Sequence, residues 1–154
     1  MVHDMGTSSK STSLRERVES FCRRHRVEIL YVFGSRASEV RKAIDGTAAG
    51  LEPGPSADVD IAVKPSMDQT LSVREKAEWA VALENLMGVD RVDLVLLTQA
   101  DPFMAVNIIR GERVFCRDEY EADTYELYVL RRAGDLAPFE RLRIERIMEM
   151  PGVS

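Results

Sequence analysis

The sequence predicts an α/β (α+β) fold, a small mixed sheet flanked by helices, with further helices at the C-terminal end. Three observations carry this. Apolar runs of strand character recur at 27–33, 58–64 and 91–97, the stretches around them repeat apolar residues at helical spacing, and the segment 119–150 is helical in period. Strands alternating with helical segments are the pattern of a sheet covered by helices.

A chain of 154 residues is one domain's worth of sequence. With 45% apolar and 31% charged residues it has the composition of a globular protein, which excludes a wholly disordered chain. A net charge of -5 argues against sequence-blind nucleic-acid binding, which needs a basic face to displace counterions. Cys22 and Cys116 lie among apolar neighbours and read as buried thiols rather than a disulfide. His3 and His25 have no partner at metal-ligand spacing, so no zinc site is expected. No apolar run approaches the roughly 20 residues that span a bilayer, and Met1 to Ser13 lacks a signal peptide's apolar core. The expected compartment is the cytoplasm, without membrane contact.

Residues 1–12, rich in Ser, Thr and Lys, read as a mobile tail, and 13–150 as the folded domain. Ser13 and Glu16 form a capping-box pattern ahead of Leu14, Val18, Phe21 and Cys22, which predicts a helix to about His25. Val27 to Phe33 is apolar on both faces, as in a strand covered on each side, and it stops at Gly34-Ser35. Arg36 to Ile44 fits a short helix. The stretch 45–57, with three Gly and two Pro, is a long loop that reads equally as a functional lid or as a tolerated insertion. Asp58 to Lys64 alternates, with Val59, Ile61 and Val63 on one face and Asp58, Asp60 and Ala62 on the other. A helix is expected from about Thr70 to Met87, ended by Gly88, and a strand from Arg91 to Leu97. Asp101-Pro102 opens another helix as N-cap and first residue, Gly111 closes it, and Val114 to Cys116 adds a short strand. In the C-terminal helical part, 119–150, Gly134 and Pro138 predict two helices rather than one, and its interleaved charges, Arg131 and Glu140 among them, read as a solvated face.

The chemistry sits on few residues. Asp58 and Asp60 are two apart on a strand, so their carboxylates share a face at about 7 Å. Their repulsion is roughly 2 kcal/mol at an effective dielectric near 20, and folding gains nothing from it. A divalent cation reverses that sign, since Mg²⁺ is held by one or two carboxylates and completes its shell with phosphates and water. Gly34-Ser35 ends a strand and precedes a helix, where outward amides favour anions and glycine permits close approach. Asp93 alternates away from Val92, Leu94 and Leu96, and so away from the core.

The segments YVFGSRAS, ADVDIAV and RVDLVLL, in that order, resemble the minimal nucleotidyltransferases of the DNA polymerase β superfamily. NIIRGERVFCRD and the helical stretch after it extend the resemblance to MntA-type antitoxins, over residues 14 to 150. One departure is the spacer between Ser35 and Asp58, about twice the usual length. The resemblance implies a nucleotidyltransferase fold and a Mg²⁺-dependent transfer of AMP from ATP to a tyrosine of a HEPN ribonuclease toxin. It assigns metal binding and catalysis to Asp58, Asp60 and Asp93, and the nucleotide phosphates to Gly34, Ser35 and Arg36. Two alternatives stand beside it: a binding module of the same fold that masks the toxin without chemistry, and transfer to a small-molecule acceptor.

Overall fold

The computed structural model describes residues 12–46 and 58–149, with 139–149 as backbone. The expected tail, except Thr12, and the loop segment 47–57 lie outside the described residues. The elements are α1 (Leu14–Arg24), β1 (Val27–Phe33), α2 (Ala37–Ile44), β2 (Val59–Pro65), α3 (Val73–Met87), β3 (Val92–Leu96), a 3₁₀ turn (Leu97–Gln99), α4 (Pro102–Ile109), β4 (Glu112–Cys116) and α5 (Glu119–Glu149). The strands form one sheet in the order β3-β2-β1-β4. β1 pairs antiparallel with β2 and with β4, while β2 and β3 run parallel, so the sheet is mixed as the sequence predicts.

β1 lies inside the sheet between β2 and β4, and apart from Glu28, which pairs with Lys64, its residues are buried. Leu30 and Val32 on one face join Val59, Ile61 and Val63 beneath α1, α2 and α3, with Phe21, Val40 and Leu83 among the residues that close this core. Ile29, Tyr31 and Phe33 on the other face join Ala62, Leu97, Ala105, Ile108, Ala122 and Val129 beneath α4 and α5. A strand buried on both faces cannot carry an uncompensated polar side chain. The hydroxyl of buried Tyr31 donates to the Glu126 carboxylate, which Arg113 Nη1 also reaches at 3.1 Å. This network ties α5 to β1 and β4.

The helix starts follow their caps. Ser13 with Glu16 and Ser72 with Glu75 both close full capping boxes, and Asp101 accepts from the amides of Phe103 and Met104. The Ser72 box sets the start of α3 at Val73, later than the Thr70 that the position of Leu71 suggested. Gly88, at φ 70°, ends α3 in the left-handed conformation.

The C-terminal part corrects an expectation. It is one helix of 31 residues with Pro138 inside it, where two helices were predicted. Ala122, Val129 and Ala133 bury one stripe of it against the sheet, and that packing outweighs the local breakers. The carbonyl that Pro138 leaves without a donor belongs to Gly134, whose missing side chain would face open space. Cys22 is buried and its thiol is pushed up by desolvation, whereas Cys116 is only half-buried; both are free thiols.

Leu83, fully buried in the first core, tests this architecture. Leu83→Ala should lower unfolding free energy by about 2–5 kcal/mol, read as a lower urea midpoint with an unchanged far-ultraviolet spectrum. A loss below about 0.5 kcal/mol would contradict the packing described.

Candidate active site

The three aspartates meet at one edge of the sheet. Asp58 precedes β2 and Asp60 is its second residue, so both side chains leave the same face. In the parallel ladder Asp60 is paired with Asp93, on a strand about 4.8 Å away. Non-local pairing thus brings Asp93 beside Asp60, with Asp58 diagonal to it. On the other side of β2, Asp60 is paired with Phe33, the last residue of β1. The chain then turns through Gly34 at φ 80°, and Gly34 lies directly against Asp60. A Cβ on Gly34 would stand 2.2 Å from Asp60 Oδ2. Glycine is required here twice over, by backbone conformation and by contact with the carboxylate.

Electrostatics mark Asp60 as the centre. Burial, then the charge of Asp93, then that of Asp58 hold its carboxyl above the usual carboxylate range. Arg91 lies 3.9 Å from Asp58, in a largely exposed position where screening leaves little attraction. Among the described residues no three His, Cys, Asp or Glu side chains form a ready-made metal cage. Magnesium does not need one, because substrate phosphates and water complete its shell. Paired carboxylates carrying excess negative charge fit that kind of ion.

Gly34 and Ser35 are exposed at the lip of this edge. Arg36, the N-cap of α2, makes no side-chain cap, so its side chain accepts no hydrogen bond from the first-turn amides. Arg36 is only 8% exposed, and its guanidinium grips Glu39 with two bonds of 2.9 Å. The sequence set Arg36 toward phosphates; the structure shows its charge shared with Glu39. Two neighbours escaped the sequence reading. Arg91 was taken as a strand end, although its place two residues before Asp93 was a usable signal. Gly111 was read only as a helix stop. A cleft of about 710 Å³ lined by Ile29, Lys64, Met67, Ala122, Tyr125 and Tyr128 opens at the far end of β2, away from the aspartates.

The polymerase beta, nucleotidyltransferase family matches residues 16–120, a span that holds the elbow and all three aspartates. The chain belongs to this family. The match stops at the start of α5. Similarity to solved structures continues through most of this nucleotidyltransferase. A chain of a toxin–antitoxin crystal structure with AMP-PNP superposes with a TM-score of 0.65 at 20% identity, over 87% of this chain and 98% of that one. A chain from the complex of a tri-AMPylated Shewanella oneidensis HEPN toxin with its MNT antitoxin gives 0.63 at 18% identity, over 88% and 96%. A chain of an MntA-HepT toxin–antitoxin structure gives 0.63 at 17% identity, over 88% and 97%. At such identities the likeness is one of fold. No curated protein matches by sequence. No helix among the described residues is long and apolar enough to cross a membrane.

The raised Asp60 carboxyl predicts a pH-dependent stability. A folded-state value above the unfolded one means that ionisation opposes folding, so the penalty is full at neutral pH and vanishes below the unfolded value near ~3.9. Without divalent cations, Asp60→Asn should therefore raise Tm at pH 7, and the gain should shrink as pH falls through the carboxylate range. A gain that grows on acidification would refute the sign. Gly34→Ala should cost about 1–3 kcal/mol, and less in an Asp60→Ala background because the carboxylate it strikes is gone. Strict additivity in that double-mutant cycle would mean the two residues do not touch.

Proposed function

We propose that this chain transfers AMP from ATP to a tyrosine hydroxyl of a HEPN ribonuclease toxin, and silences it by that modification. The observation that carries the reading is the strand register that sets Asp93 beside Asp60, with Gly34 closed over the same carboxylate. Family membership supports nucleotidyl transfer. The acceptor is inferred from the similar chains, which come from toxin–antitoxin complexes, one with AMP-PNP and one whose HEPN toxin carries AMP.

In this reading Asp58 and Asp60 would hold Mg²⁺, and Asp93 would complete the acidic set on the side where the acceptor enters. The bound metal supplies charge neutralisation at the phosphate oxygens. Ser35 and the amides following Gly34 orient the terminal phosphates, because a bare Cα and an uncapped helix start admit close approach of an anion. Arg36, braced by Glu39, fixes the beginning of that helix. The tyrosine oxygen attacks the α-phosphorus, the bond from that phosphorus to the bridging oxygen breaks, and pyrophosphate leaves. Asp93, exposed and free to approach solvent or substrate, accepts the phenol proton on a carboxylate oxygen.

Asp60→Asn and Asp93→Asn should each reduce transfer by on the order of 100-fold or more, while both variants stay folded. Intact-mass measurement of the toxin after incubation with Mg-ATP reads this directly, as steps of one AMP. Inhibition of the ribonuclease that persists without Mg-ATP and leaves no added mass would replace transfer with masking.

A further inference from the structure

The elbow is held from a second side, by the turn between α4 and β4. Gly111 closes α4 by donating its amide to the Ile108 carbonyl at 2.9 Å, and β4 begins at the next residue. There the turn presses on the end of β1. A Cβ at Gly111 would lie 2.6 Å from the Val32 carbonyl oxygen, 2.9 Å from Phe33 Cβ and 3.0 Å from Phe33 Cα. Two of these atoms are backbone and the third is fixed to it, so no side-chain rotation relieves the contact. The conformation of Gly111 is ordinary, since its φ is not positive. The demand for glycine here is one of space alone.

What lies behind Phe33 gives the contact its meaning. Phe33 is the ladder partner of Asp60 and is followed at once by Gly34, which has no slack against Asp60 Oδ2. A push at Gly111 therefore passes through Phe33 into the elbow and the carboxylate it covers. The turn is also tied to the helix beyond the elbow, because Arg41 Nη1 of α2 donates to the Arg113 carbonyl at 3.1 Å and its Nε lies 3.8 Å from Glu112. We propose that Gly111 is a positioning residue of the transfer site: its bare Cα lets the α4–β4 turn buttress β1 and so holds the Gly34–Ser35 elbow in register over Asp60. This rests on the proposed transfer activity for its kinetic consequence, although not for its geometry.

The test uses the full chain and four variants. Gly111→Ala should lower kcat for AMP transfer by about tenfold or more, in keeping with the sensitivity of in-line reactions to sub-ångström misplacement, and should shift the amide resonances of Gly34, Ser35 and Asp60. Gly134→Ala, a glycine whose Cβ would meet nothing, should change neither. Leu83→Ala supplies a chain destabilised on the opposite face, and should lose Tm while keeping kcat and those three resonances. Arg41→Ala loosens the same turn without crowding it, and should give smaller changes of the same kind. Should Gly111→Ala not fold, Arg41→Ala alone decides. Unchanged kcat and resonances in the folded Gly111 variant, or in Arg41→Ala where it decides, overturn the inference, as does an equal loss of kcat in Leu83→Ala. A wild-type chain that transfers no AMP defeats the proposed function, and the resonances then decide the positioning claim.

Discussion

The constraint on which the rest of the molecule depends is the crowding of negative charge at the head of β2. Asp60 is partly buried with Asp93 beside it on the next strand and Asp58 two residues earlier on the same face. Two residues further along the same face, Ala62 is fully buried, so the strand passes from charged to apolar within one pleat. Such an arrangement persists only if the strand is over-determined elsewhere. β2 achieves this by pairing along its length with β1 and β3 and by burying Val59, Ile61 and Val63 in the larger core. The hydrophobic core and the acidic edge are therefore one design: the first supplies the rigidity that the second consumes.

Much of this was legible residue by residue. The bounds of β1 follow from a run of apolar residues on both faces, broken only by Glu28, and α1 from a capping box whose partners are three residues apart. The shared face of Asp58 and Asp60 follows from the period of a strand. These are local facts, and local spacing carries them. The adjacency of Asp60 and Asp93 is a matter of register between strands that a helix separates in sequence, so alternation could show only that Asp93 points away from the core. The motif's order suggested the rest.

What local spacing left out has a physical cause in tertiary packing. Gly134 and Pro138 are breakers judged against an isolated helix, but a helix that buries Ala122, Val129 and Ala133 on a sheet draws its stability from packing. Gly111 fits a helix stop, and its tighter role depends on how close Val32 and Phe33 come, which no spacing reveals. Arg36 follows the Gly34-Ser35 turn, and the resemblance gave it a phosphate role. Its partner Glu39, three residues on, was an equally visible signal of a braced helix start.

The pairing of β1 with β2 also frees the connection between them. Their alignment is set by Phe33 opposite Asp60 and continues to Val27 opposite Pro65. No part of that alignment depends on how many residues lie between Ser35 and Asp58. Doubling a loop costs only about 0.6 kcal/mol in closure entropy, a sum that the ladder and core readily absorb. Length at this point is thus an evolutionary and engineering degree of freedom: segments can be spliced in to gain reach or recognition while Gly34 and the three aspartates keep their places.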